Sequence, residues 1–208
     1  MSGTNLLQID NLACIRDDRV LFEHLNLSLA AGQMLLVEGA NGSGKTSLLR
    51  ILTGLKLADE GQVLWQGKSI DQLAADYTEQ VSYVGHHDGV KRELSCLENL
   101  RLVQAMGKPS GVELDDALDR FGLYRYGDTL VSNLSAGQKR RLALSRLIVT
   151  ESQLWILDEP FTSLDKNSMA GFERMFEQHL AEQGVIVMTS HHDIGMVNAD
   201  IQRLDLSQ

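Results

Sequence analysis

GANGSGKT, residues 39–46, decides the fold of this 208-residue chain. It follows an apolar run, QMLLVEG (33–39), and precedes a stretch with Leu48, Leu49 and Leu52 on one helical face. A strand, a glycine-rich turn and a helix, with the GxxxxGK[ST] spacing intact, are the context that makes this pattern a phosphate loop. Glycines let backbone N–H groups face an anion without a Cβ in the way. The helix that starts near Lys45 adds the positive end of its dipole. Gly39, Ala40, Asn41, Gly42, Ser43, Gly44, Lys45, Thr46 and Ser47 are therefore the expected cradle for a nucleoside triphosphate. Lys45 is expected to reach the β- and γ-phosphates, and Thr46 to ligate Mg2+.

Four more segments carry chemistry: YVGHHDG (83–89), LSAGQ (134–138), LWILDEP (154–160) and TSHH (189–192). LWILDE is an apolar strand that ends in two acids. Asp158 suits Mg2+ held through water, and Glu159 suits a general base that orients or deprotonates the attacking water. Without a phosphate loop upstream, Asp-Glu at a strand end would read as a solvated terminus. Ser135 can cap the helix SAGQKRRLALSRL, and the start of that helix again offers N–H donors to an anion. The basic triplet 139–141 reads as a solvated helix face.

The strand periodicity of LLQIDNLA, VLFEHLNLSL and QMLLVEG gives three strands at the start. The pattern turns helical between Cys96 and Arg146, then returns to strand–helix alternation through the helix NSMAGFERMFEQHLAEQ, VIVMTS and IQRLDL. A helical insert inside a βαβ nucleotide-binding core makes one domain with a subdomain. The expected division is a core of 1–86 and 147–208 with a helical subdomain at 87–146, all within a single domain of 1–208.

These five segments, in this order, resemble the nucleotide-binding subunit of an ABC transporter over nearly the whole chain. LSAGQ, just ahead of the strand ending in Asp158, separates that family from other phosphate-loop enzymes. The resemblance implies an α/β fold: a RecA-like parallel-sheet core with an N-terminal antiparallel β part and a helical subdomain. It implies a homodimer sandwiching two ATP molecules. It also implies that Ser135 and the backbone at Gly137 of one subunit approach the γ-phosphate held by the other, with Gln138 among the nucleotide-binding residues. Asp165, in FTSLD, matches the aspartate that couples the two sites, although it could simply cap the next helix. His191 matches the histidine that contacts the γ-phosphate.

Two places depart from the family. Glutamine usually ends the strand written here as SYVG, and His86 takes its place. A neutral imidazole can give or accept one hydrogen bond, and histidines in general change charge near neutral pH. An aromatic residue usually stacks on adenine, and the corresponding place falls near Arg16, whose guanidinium plane could stack instead. No local zinc-ligand spacing supports a metal site at the pairs 86–87 and 191–192.

GHHDGVKRELSCLENL (85–100), SNLSAGQKRRLALSRL and LWILDEPFTSLD are similar to the ATPase subunit of cytochrome c maturation, the CcmA family. The histidine in place of glutamine, VLWQG and the short C-terminal end belong to that resemblance. It implies an ATPase on the cytoplasmic face of a bacterial inner membrane, with CcmB-like and CcmC-like integral subunits as partners. ATP turnover would then drive release of a haem-loaded chaperone. An ABC ATPase serving another substrate shares the same catalytic residues.

Composition is consistent with this. The formal net charge of −9 gives a nucleic-acid role no electrostatic support. The two cysteines, Cys14 and Cys96, lie far apart, so neither a disulfide frame nor direct covalent haem attachment through CxxCH is expected. The first residues lack the basic and apolar regions of a signal peptide. No apolar stretch approaches the roughly 20 residues of a membrane helix.

Overall fold

The computed structural model describes residues 5–190, 194–196 and 199–207. The chain opens with β1 (Asn5–Arg16), β2 (Arg19–Ala30) and β3 (Gln33–Glu38), followed by α1 (Lys45–Leu52), β4 (Glu60–Trp65) and β5 (Lys68–Ser69). Next come α2 (Ile70–Leu73), α3 (Ala75–Gln80) and β6 (Val81–Val84). Helices α4 (Cys96–Met106), α5 (Leu114–Arg120) and α6 (Ala136–Val149) form the middle. The chain closes with β7 (Leu154–Asp158), α7 (Lys166–Ala181), β8 (Val185–Thr189) and β9 (Asp200–Asp205).

Two sheets result. An antiparallel sheet has the order β2-β1-β4-β5, and a parallel sheet has the order β6-β7-β8-β3-β9. The parallel sheet is covered on both faces, so its central strands β7 and β8 are apolar up to their last residues, Asp158 and Thr189. Strand residues alternate between faces. Leu35, Val37, Ile156, Val185 and Val187 enter a core shared with α1 and the antiparallel sheet. Met34, Leu36, Trp155, Leu157, Ile186 and Met188 enter a second core under α6 and α7.

The middle helices have a core of their own, including Leu100, Leu118, Leu123, Leu134 and Leu142. Helix α6 serves two cores at once. Leu142 and Val149 point into the insert, while Ala143, Leu144 and Leu147 point to the sheet. The expected strands and helices are present. The sequence pattern gave no sign of α2 and α3, which are too short to show a helical period. Tyr77 anchors α3 by donating its buried hydroxyl to the Leu52 carbonyl.

Candidate active site

The phosphate loop lies between the carboxyl end of β3 and the start of α1. Gly44 is required there on two counts. Its φ is 105°, and a Cβ would come within 3.1 Å of Leu21 in β2. The antiparallel sheet thus backs the loop directly. Lys45 is buried, and its Nζ donates to the carbonyls of Gly39 (2.7 Å) and Ala40 (3.1 Å), folding over its own loop. The Ser43 hydroxyl is buried with no hydrogen-bond partner among the described residues. An unsatisfied donor in a glycine-rich loop at a helix start fits a phosphate oxygen.

Sheet order brings the acids to this loop. In β8, Thr189 is the register partner of Val37 on one side and of Asp158 on the other. Asp158 is buried and accepts from Thr46 Oγ1 and from Thr189 Oγ1, each at 2.8 Å. Thr189 Oγ1 in turn accepts from the Glu159 backbone N–H at 2.9 Å. The Thr46 hydroxyl and the Asp158 carboxylate are hard oxygen donors of the kind Mg2+ takes, so the residues fit that ion. Glu159 has φ 49°, a left-handed conformation that non-glycine residues seldom adopt. Such strain persists where surrounding bonds hold it. Sequence reasoning gave Thr189 no role. Its place at the end of an apolar strand flanking the β7 acids was the available signal.

Ser135 and Gln138 form a reciprocal cap on α6. Ser135 Oγ accepts from the Gln138 N–H at 3.2 Å, and Gln138 Oε1 accepts from the Ser135 N–H at 2.8 Å. At Gly137 a Cβ would lie 2.8 Å from the Ser163 carbonyl, so glycine admits the loop that follows β7. Asp165 caps α7, accepting from the Ser168 N–H at 2.8 Å. That backbone bond holds its carboxyl below the usual carboxylate range.

The basic triplet is not a uniformly solvated face. Arg140 is 3 % exposed and its guanidinium is fully engaged within the protein. Arg141 donates to the Phe121 carbonyl at 3.1 Å. Helical spacing was the missed signal, since Arg140 lies on the same face as Ala143, Leu144 and Leu147.

The other expected residues are less tightly drawn together. His86 is exposed, just beyond β6, edge-on to His87 with ring centroids 5.6 Å apart. Arg16 ends β1, opposite Arg19 in the hairpin, with its guanidinium 3.4 Å from the Asp17 carboxylate and both side chains exposed. His191 and His192 lie outside the described residues. Among the described residues no cluster of His, Cys, Asp or Glu could hold a metal ion. No helix among them is long and apolar enough to cross a membrane.

A glycine loop at a helix start, an Asp-Glu pair beside it and a capped LSAGQ helix define an ATP-binding cassette of the ABC transporter class. The profile of that family, described as ABC transporter, matches residues 22–162. A putative ABC transporter ATP-binding protein from Pyrococcus furiosus has the same fold, with a TM-score of 0.80 at 20 % identity over 96 % of both chains. Curated relatives are closer. The cytochrome c biogenesis ATP-binding export protein CcmA of Methylococcus capsulatus is 50 % identical over 95 % of this chain and 96 % of its own. The protein of the same name from Aliivibrio fischeri is 42 % identical over 98 % of this chain and all of its own. The chain belongs to the CcmA family of ABC transporter ATP-binding proteins.

Proposed function

We propose that this chain is the ATP-hydrolysing subunit of a membrane ABC complex for c-type cytochrome biogenesis, and that it works as a homodimer with two shared ATP sites. One observation carries the chemistry: the chain of contacts Thr46–Asp158–Thr189–Glu159 on a single edge of the parallel sheet. Identities of 40–50 % to CcmA proteins, covering nearly the full length, support the biological assignment.

In this reading Lys45 leaves the Gly39 and Ala40 carbonyls for the β- and γ-phosphates. Thr46 and Asp158 would hold Mg2+, which would neutralise negative charge on the triphosphate as it is cleaved. Glu159 orients a water and takes its proton. Ser135 and the backbone at Gly137 close over the triphosphate held by the other copy, with His86 and His191 completing the shell around the γ-phosphate. Arg16 offers its guanidinium plane to the adenine. Closure is a rigid-body switch, driven by contacts that exist only in the closed state. Residues 87–146 move as the insert and pass the motion to CcmB-like and CcmC-like membrane subunits at the cytoplasmic face of the inner membrane. ATP turnover then serves haem export or the release of a haem-loaded chaperone.

The test replaces Glu159 by Gln in the host bacterium and stains its membranes for covalent haem. The expected result is loss of c-type cytochromes, with haem accumulating on a small membrane chaperone. Normal cytochromes in a strain without a second such ATPase would overturn the assignment and leave an ABC ATPase that serves another substrate.

A further inference from the structure

The Arg140 guanidinium has five N–H bonds, and five acceptors meet it. Nε donates to the Pro160 carbonyl at 2.9 Å. Nη2 donates to the carbonyls of Asp158 (2.9 Å) and Glu159 (2.7 Å). Nη1 donates to the Gly85 carbonyl (2.9 Å) and to Asp88 Oδ1 (3.2 Å). The acceptors come from two segments far apart in sequence, the turn after β7 and the switch segment that leaves β6 within YVGHHDG (83–89). The arginine itself sits on α6, the helix that Ser135 caps.

We infer that Arg140 is a positioning residue for ATP hydrolysis: it locks the strained turn at Glu159 and the switch segment at Gly85–Asp88 onto the signature helix. The inference rests on the proposed roles of Glu159 and Ser135. In a dimer with shared sites, the helix that presents Ser135 to the partner's nucleotide would carry its own subunit's base and His86 along with it.

Three observations support this. Glu159 holds φ 49°, and Arg140 bonds the carbonyls of Asp158 and Glu159, fixing the peptide planes on both sides of the strained residue. Arg146, six residues on in α6, donates to the carbonyls of Asp88 and Gly89 at 3.2 Å each, so the switch segment is held at two points of one helix. The chemistry is also specific to arginine. A planar fork reaches acceptors in several directions, whereas lysine offers three donors from one point. A buried ion pair with Asp88 alone would need none of the four carbonyl bonds.

The experiment uses the assembled membrane complex and compares wild type, R140K, E159Q and the double variant. Steady-state and single-turnover phosphate release give kcat and KM, and a fluorescent ATP analogue gives nucleotide affinity. R140K is expected to lower kcat by about tenfold to hundredfold, as displacement of a reacting group by about 1 Å does. KM and affinity should stay within about twofold. Because Arg140 acts through Glu159, R140K should cost less than about twofold when added to E159Q.

A wild-type kcat in R140K overturns the inference. So does a parallel loss of rate and affinity, or losses that multiply in the double variant. E159Q alone separates the two levels. If it hydrolyses ATP at the wild-type rate, the base assignment falls and the clamp with it. If E159Q is inactive and R140K is normal, only the clamp falls. Should R140K fail to assemble, D88N keeps the shape and the carbonyl bonds. It is expected to lower kcat about threefold at constant affinity, consistent with weakening one charge-assisted bond. An unchanged kcat in D88N would then assign Arg140 to folding and overturn the inference.

Discussion

The two edges of the parallel sheet carry opposite kinds of surface. At the carboxyl edge, hydroxyls, a buried carboxylate and a strained backbone converge within hydrogen-bond distance around Asp158. At the amino edge lies a cleft of 930 Å³, lined by residues that precede the strands, including Gln80, Gln153 and Gly184, and by α7. Its floor is a stack of Trp155 and His179, with ring centroids 3.7 Å apart and planes 7° from parallel. The cleft offers room, and the opposite edge offers chemistry. Convergent polar groups mark a reactive site better than volume does. The cause is topological. In an open α/β sheet the helix starts and loops that can bind anions gather at the carboxyl ends of the strands.

The largest expected effect tests the reactive edge. E159Q should lower hydrolysis by about a hundredfold to ten-thousandfold while ATP still binds, the range general-base removal gives. Phosphate release and ATP-dependent dimerisation, measured by light scattering, check it. A loss of binding in step with rate would make Glu159 part of the cradle rather than the base.

The next prediction tests the amino edge. Burial pulls the His179 imidazole from 6.5 down to about 4. As pH falls below 6.5 the unfolded chain takes up this proton before the folded chain does. The stability given by the neutral ring is therefore complete above 6.5 and is lost progressively toward pH 4. The whole step is worth roughly 3 kcal/mol at about 1.4 kcal/mol per pH unit. H179F keeps a ring on Trp155 and should remove this part of the acid sensitivity, with kcat at pH 7.5 unchanged. Urea unfolding of both proteins between pH 4 and 7.5 measures it, and identical pH slopes would refute it.

T189V joins stability and rate. It leaves Asp158 Oδ1 and the Glu159 N–H without their shared partner, at a cost of about 1–3 kcal/mol. Hydrolysis should fall as well, because that hydroxyl links the two acids. If stability drops and kcat holds, the bond is only structural. K108A should do least. Lys108 forms an exposed ion pair with Glu151 at the rim of the cleft, and surface pairs of this kind contribute little. The melting temperature and kcat should both match wild type. A clear fall in kcat would give the amino edge a part in turnover and dissolve the contrast.

Much of the fold was legible because it is written in local patterns. GANGSGKT between strand and helix, the apolar strand ending in Asp158 and the helical spacing from residue 96 onward all obey short-range rules. Ser135 and Asp165 were legible as helix caps for the same reason, and the structure has both bonds. Helices α2 and α3 were not, since four and six residues cannot display a 3.6-residue period. Arg140 was misread as part of a solvated triplet because charge was weighed ahead of helical face. Its partners on the loops after β6 and β7 cannot be inferred from neighbours in the chain.

The sequence alone determined where the phosphate-loop pattern and the other motif segments lie, in what order, and which family they belong to. Glycine placement, apolar periodicity and the LSAGQ signature are properties of short segments, so they need no knowledge of the fold. The tertiary structure decided which of those segments meet. It set Thr189 between Asp158 and the phosphate loop, held Glu159 in a left-handed turn and buried Arg140 among four carbonyls and a carboxylate. Strand order and helix packing make those contacts, and both arise from burying apolar faces that individual motifs do not specify.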